Sequence, residues 1–130
     1  MMDQRSEKNL LGVHRDLYVI ARLAAVICPI QFTVTEGLRT IERQKALVAA
    51  GASKTMKSRH LTGHAIDLAA MVDFDNDGDL DIRWDWPLYA KLADAMKQSA
   101  KTLTLPIEWG GDWATFKDGP HFQLPWKDYP

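Results

Sequence analysis

His64-Ala65-Ile66-Asp67-Leu68-Ala69-Ala70-Met71 is the segment from which the fold can be read. Ile66, Leu68 and Ala70 fall on one face, and Ala65, Asp67 and Ala69 on the other, which is the two-residue period of a strand. An aspartate flanked on its own face by two small alanines leaves open space above the carboxylate. Upstream lies a polar loop, Ala52 to Leu61, and before it a helix over about 41 to 50, capped by Thr40 and closed by Gly51. Gln31-Phe32-Thr33-Val34-Thr35-Glu36-Gly37-Leu38 alternates again and reads as a strand ending near Gly37. Residues 7 to 27 carry apolar positions at mixed three and four spacing, which predicts one long amphipathic helix with Ser6 as N-cap and Pro29 closing it. Downstream, the acidic segment Asp73 to Asp85 reads as a loop, and Trp86-Pro87 opens a helix through about Lys101 with Leu88, Leu92, Ala95 and Met96 inward. Ile107-Glu108-Trp109 and His121-Phe122-Gln123-Leu124 read as two short strands joined by a Gly- and Asp-containing loop.

A chain of 130 residues, 46% hydrophobic and 25% charged, suits one core and excludes disorder, collagen-like repeats and coiled coil. No repeat, low-complexity tract or linker divides it. Sixteen basic residues against 17 acidic ones give a net charge of -1, without the basic excess that a nucleic-acid partner or an anionic membrane surface requires. No apolar run approaches the roughly 18 to 20 residues that span a bilayer, and the opening MMDQRSEKNLLG lacks the basic and apolar regions of a secretion signal. A single cysteine, Cys28, rules out an intramolecular disulfide and a cysteine-based zinc cluster. Any metal must be held by histidine and carboxylate.

Three of the four histidines and several acids gather in two stretches, Ser58 to Asp67 and Trp109 to His121. A catalytic zinc needs three nitrogen or oxygen ligands and an open fourth position for water. His60, Asp67 and His121 supply such a set, and Asp118, three residues before His121 across a Gly-Pro turn, can lean over the same site as a base.

Ser58-x-His60-x-x-Gly63-x-Ala65-x-Asp67, with Asp118-x-x-His121 far downstream, resembles the zinc-dependent peptidoglycan peptidases. That family includes D-Ala-D-Ala carboxypeptidases and phage L-alanyl-D-glutamate endopeptidases (endolysins). Gly37-Leu38-Arg39-Thr40 and Gln44 also match the strand-then-helix element before the zinc motif, so the likeness covers nearly the whole chain. The resemblance implies an α+β domain over residues 1–130, with helices packed on a small, mainly antiparallel sheet, the zinc DD-peptidase-like (Hedgehog-like) fold, and no separate wall-binding domain. It implies that His60, Asp67 and His121 bind Zn2+, that Asp118 is the catalytic acid/base, and that Arg39 polarises or holds a substrate carbonyl or carboxylate. Ser58, Gln44, His64 and Trp109 are the candidate substrate-binding residues. The family commonly carries Glu at the base position, and Asp118 is one methylene shorter, so it needs a closer approach to the water.

The function expected from this resemblance is a monomeric endolysin that cuts the L-Ala to D-Glu bond of peptidoglycan stem peptides. It would wait in the host cytoplasm and act in the periplasm after release through a membrane lesion. The alternatives are a D-Ala-D-Ala carboxypeptidase and a non-catalytic, metal-stabilised module that binds peptidoglycan.

The remaining features admit plainer readings. His64, four residues after His60, either orients a ligand or faces substrate, whereas His14 reads as an exposed helix residue. Asp112 ligates, orients His121 or, as the favoured reading, caps the Gly110-Gly111 turn; Trp109 and Trp113 wall a groove or pack in the core; Cys28 reads as an inert buried thiol. Asp73-Phe74-Asp75-Asn76-Asp77-Gly78-Asp79 follows the alternating pattern of a calcium loop, with Gly at position six. Trp84 stands where that pattern has a bidentate Glu, so a Ca2+ site made by Asp73, Asp75, Asp77 and Asp79 would need completion elsewhere, for example by Asp85. A solvated turn is the other reading.

Overall fold

The computed structural model describes residues 2–53 and 55–130; Met1 of the leader reading and Lys54 of the polar loop lie outside them. The alternating segment forms the central strand, β2 (Ala65–Val72), of a five-stranded sheet. β1 (Gln31–Glu36) lies antiparallel along one edge of β2. The other edge is shared by β3 (Asp81–Arg83), opposite Ala70 to Val72, and β5 (His121–Gln123), opposite Ala65 to Asp67. β4 (Glu108–Trp109) completes the sheet outside β5, and every pairing is antiparallel.

The two faces of β2 divide the labour, as the alternation predicts. Ile66, Leu68 and Ala70 enter a core with Phe122 and Trp109 from the sheet and Leu17, Ile20, Leu92 and Met96 from two helices, α2 (Arg15–Ile27) and α4 (Trp86–Leu103). Burying side chains of this size contributes about 1.5–3 kcal/mol each. Ser99 Oγ donates to the Ile20 carbonyl at 2.7 Å, which ties α4 to α2. The opposite face carries Asp67, His121 and Gln123, with register pairs Asp67 to His121 and Ala65 to Gln123.

The predicted long N-terminal helix is two helices. α1 (Gln4–Asn9) is capped by Asp3, whose carboxylate accepts from Ser6 N at 2.8 Å. Gly12 then turns left-handed at φ 81°, and His14 caps α2 by accepting from Asp16 N at 3.0 Å. Ser6 is therefore not the cap: its hydroxyl accepts from Val34 N at 2.8 Å, while the Asn9 side chain donates to the Val34 carbonyl at 2.8 Å. Two α1 side chains thus satisfy the outer edge of β1, a strand edge that would otherwise invite pairing with another chain. His14 is half-buried at the helix start.

The helix break makes room for the loop that carries His60. Gly63 ends the 3-10 turn Arg59–Thr62 at φ 75°, and its carbonyl accepts from His14 N at 2.8 Å. A Cβ on Gly63 would lie 2.4 Å from the Gly12 carbonyl oxygen. α3 (Ile41–Ala49) matches its prediction, with Thr40 capping it through Arg43 N.

β3 falls inside the segment read as a loop. It forms because Val72 and Asp81 pair, folding the acidic loop back on the end of β2. A strand of three residues is set by its partner's free edge more than by its own period.

Gly63→Ala should lower stability by at least about 1–2 kcal/mol from the left-handed backbone alone, and further through the clash with Gly12. Urea unfolding should show this as a lower midpoint with unchanged slope, together with a fall in melting temperature of on the order of 2–8 °C.

Candidate metal centre

His60 comes from the 3-10 turn, Asp67 from the middle of β2 and His121 from the start of β5, where it faces Asp67 in register. His60 is 2% exposed and His121 6%, so both rings are fixed by packing. His60 Nε2 lies 3.3 Å and His121 Nδ1 3.4 Å from the same oxygen, Asp67 Oδ1. A tetrahedral ion with bonds of about 2.0–2.1 Å has ligand-to-ligand edges of about 3.3–3.4 Å. Both histidine-to-aspartate distances match such an edge, the three ligand atoms all lie within 4.8 Å of one another, and the set has the two-nitrogen, one-oxygen chemistry of a three-ligand zinc site.

The free ring nitrogens face partners that fix their roles. His60 Nδ1 donates to the Gly37 carbonyl at 2.8 Å, so the neutral ring turns its Nε2 lone pair toward Asp67. His121 Nε2 lies 2.7 Å from Gln123 Oε1, so it is Nδ1 that faces the centre. Burial opposes ionisation of Asp67, but in the metal-free centre the hydrogen bonds that the His121 and His60 rings donate in their doubly protonated form, and the charge of those rings, outweigh it and hold the carboxyl well below the usual carboxylate range. Asp67 is therefore an anion ready to bind a cation.

Arg39 is set beside this group by a β-bulge. The register slips between Val34 and Glu36, which places Glu36 opposite Asp67. Glu36 Oε1 then accepts from Arg39 Nε at 2.8 Å, and Gln44 Oε1 accepts from Arg39 Nη1 at 2.7 Å. Nη2 stands 3.9 Å from Asp67 Oδ2. Burial raises the pKa of Glu36, but its bond to Arg39 and the Arg39 charge prevail and hold it low. The guanidinium is thus braced on two sides, with a third nitrogen directed toward the centre.

Asp118 follows the Gly110–Asp112 turn. Its backbone N–H donates to the Gly110 carbonyl at 3.0 Å, and a Cβ on Gly110 would meet the Asp118 carbonyl oxygen at 2.4 Å, so only glycine allows this approach. Burial first and the Asp67 charge second push the Asp118 carboxyl above its ordinary range, the direction that suits a general base. Asp118, Arg39, Ser58 and the three ligand candidates line one cleft of about 790 Å³, walled by Trp113, Phe116 and Trp126.

Family membership can be decided at this point. The sequence model described as phage L-alanyl-D-glutamate peptidase matches residues 1–124. The chain belongs to this family. It is 39% identical over 100 residues to the L-alanyl-D-glutamate peptidase of Listeria phage A118, covering 77% of this chain but 32% of that protein. It is 33% identical over 114 residues to the L-alanyl-D-glutamate peptidase of Escherichia phage T5, covering 85% of this chain and 79% of that one. Among solved structures, the Serratia marcescens L-Ala D-Glu endopeptidase ChiX superimposes with a TM-score of 0.88 at 48% identity, over 98% of this chain and 91% of that chain. The vancomycin-resistance D,D-dipeptidase VanXYg shares the fold alone, with a TM-score of 0.52 at 22% identity, over 86% of this chain and 50% of that one. The chain thus spans about a third of the Listeria phage relative and most of the T5 relative and of ChiX.

Three residues expected to touch substrate in this phage-peptidase fold do not line the cleft. Gln44 is fully buried, accepting from Arg39 and donating to Ser53 Oγ and the Thr55 carbonyl, so it positions Arg39. His64 bonds Thr62 Oγ1 at 2.7 Å and packs near the His14 and Tyr129 rings. Trp109 is 9% exposed, donates to the Gly119 carbonyl and stacks on Phe122; Trp113 and Trp126 are the indoles that reach the cleft. Ser58 does line it, with its hydroxyl accepting from His60 N at 3.2 Å. Asp112 neither ligates nor orients His121; it pairs with Lys97 at the surface, 2.7 Å away. Cys28 is half-buried, and burial pushes its thiol up.

In the acidic loop, oxygens of Asp73, Asp75, Asp77 and Asp81 lie within 4.8 Å of one another. Asp79 is outside this group because β3 brings Asp81 back instead, and Asp85 is engaged by Arg83 at 3.1 Å. Desolvation and the four neighbouring aspartates push the Asp81 carboxyl up.

Glu36, Glu108 and Gln123 escaped the sequence reading. Gln123 carried a usable signal, since two residues after His121 on a strand is the same face.

His60→Ala and His121→Ala should abolish stoichiometric zinc binding, read as metal content after dialysis. Arg39→Ala and Gln44→Ala should retain it, and zinc loss in either would make the Arg39 brace part of the metal support.

Proposed function

We propose that the protein is a zinc-dependent endopeptidase that hydrolyses the L-Ala to D-Glu bond of peptidoglycan stem peptides, with residues 1–130 acting as one catalytic domain. The observation that carries this reading is the juxtaposition of His60, Asp67 and His121 at tetrahedral-edge spacing with Asp118 and Arg39 in one cleft. The named activities of the phage T5 protein and of ChiX support the choice of bond. As a lytic enzyme it would act at the peptidoglycan layer, and no described helix is long and apolar enough to cross a membrane.

Zinc, held by His60, Asp67 and His121, would supply the Lewis acidity that polarises the scissile carbonyl and lowers the pKa of water. Asp118 takes the proton of the attacking water and returns it to the leaving amine. Its raised pKa makes both transfers closer to thermoneutral than an ordinary aspartate would allow. Arg39, held by Glu36 and Gln44, presents a fixed cationic donor to a substrate oxygen, a task for which planar guanidinium suits better than ammonium. Trp113, Phe116 and Trp126 give the cleft apolar walls against which a peptide can lie.

We also read the Asp73, Asp75, Asp77 and Asp81 group as a calcium site that orders the loop between β2 and α4, because their carboxylate oxygens lie within 4.8 Å of one another and a divalent cation would relieve the mutual repulsion that, after desolvation, raises the Asp81 carboxyl.

Mass spectrometry of disaccharide-tetrapeptide and disaccharide-pentapeptide after incubation with zinc-loaded protein should show release of the peptide beginning at D-Glu. Loss of only terminal D-Ala would make it a carboxypeptidase, and no product with zinc bound would make it a binding module. Asp118→Ala should keep stoichiometric zinc and lose about 100- to 10,000-fold in rate; near wild-type turnover would remove Asp118 from the mechanism. Calcium should raise the melting temperature of chelator-treated, zinc-reloaded protein, and identical melting curves would rule the calcium site out.

A further inference from the structure

His121 meets the centre through Nδ1, and a chain of side chains behind it accounts for that choice. Trp113 Nε1, which can only donate, lies 2.8 Å from Glu108 Oε2. Glu108 Oε2 therefore accepts, and it accepts a second time from Gln123 Nε2 at 3.3 Å. With its amide nitrogen committed to Glu108, Gln123 turns Oε1 to His121 Nε2 at 2.7 Å. An amide oxygen has no proton to give, so Nε2 must carry the hydrogen, and in the neutral ring that binds a metal the lone pair is left on Nδ1, 3.4 Å from Asp67 Oδ1. Gln123 is 5% exposed, so water does not compete freely for these bonds. Glu108 and Gln123 are also register partners across β4 and β5, which fixes the spacing of the chain in the backbone.

We propose that Gln123, Glu108 and Trp113 form a positioning relay that selects the His121 tautomer and thereby sets the affinity of the centre for zinc. This rests on the zinc reading above. His60 is locked by a backbone carbonyl, that of Gly37, so the relay is the part of the ligand support that depends on side-chain identity. Groups that orient metal-ligating histidines typically change metal affinity by about 10- to 100-fold when removed.

Zinc affinity by chelator competition, the melting temperature of the zinc-free protein, and long-range 1H–15N spectra of the imidazoles would be compared across variants. Gln123→Met keeps the length of the side chain and removes both its donor and its acceptor. It should bind zinc about 10- to 100-fold more weakly and show His121 as a mixture of tautomers, whereas the wild type shows Nε2 protonated. The double exchange Gln123→Glu with Glu108→Gln keeps an acceptor toward His121 and a donor between the two positions, and should recover affinity to within a few-fold of wild type. Trp113→Phe removes the outermost donor at a half-buried position while keeping an aromatic ring beside the His121 ring, whose centroid lies 5.2 Å from that of Trp113, and should give a smaller loss in the same direction; it carries the test if Gln123→Met does not fold. Wild-type affinity and an unchanged tautomer in a folded Gln123→Met, or in Trp113→Phe where Gln123→Met does not fold, would overturn the relay while leaving the zinc reading intact. A wild type that binds no zinc would overturn that reading and the relay with it.

Discussion

The structure depends on one half-buried carboxylate. Asp67 sits in the central strand with both neighbouring imidazoles directed at a single oxygen, and burial alone would favour its neutral form. It stays ionised because strand pairing brings His121 opposite it and the Gly63 turn brings His60 over it. Each of these demands a particular backbone: the register of β5 on β2, and a left-handed residue where a side chain would strike Gly12. The face that carries His60, Asp67 and His121 is thus fixed by the same contacts that hold the sheet together.

Around this anion the charges are layered. Arg39 balances Asp67 without closing on it, because Glu36 and Gln44 occupy two of its nitrogens. Asp118 is partly desolvated and also close enough to feel the Asp67 charge, and its carboxyl rises accordingly. Two aspartates in one cleft are thereby shifted in opposite directions from the ordinary carboxylate range. The bulge in β1 is essential to this division, since without the slip between Val34 and Glu36 the brace on Arg39 would not face the centre.

The legible and illegible parts of the sequence separate along physical lines. The Ile66, Leu68, Ala70 alternation gave the core face of β2 because a half-buried strand leaves a two-residue period. His60, Asp67, Asp118 and His121 could be picked out as a candidate set because their spacing resembles the motif of a known family, and the structure brings them to one cleft. The helix break at Gly12 was missed because the apolar spacing on either side continues nearly in phase, while the break exists to admit Gly63 from 51 residues away, which no local window contains. Gln44, His64 and Trp109 were placed at the substrate because residue type and proximity to the motif cannot say which way a side chain points.

What the sequence by itself determined was the chemistry available: two histidines and two aspartates in a motif, a strand to carry one of them, no cysteine cluster and no long apolar helix. Tertiary structure alone decided which nitrogen of each histidine faces the centre, which glutamate braces Arg39, and that Asp81 rather than Asp79 joins the acidic group. The physical reason is the range of the interactions involved. Periodicity, capping and turn preferences act within a few residues, whereas a tautomer or a charge brace is set by partners such as Glu108 and Gln123, which meet only when β4 and β5 pair.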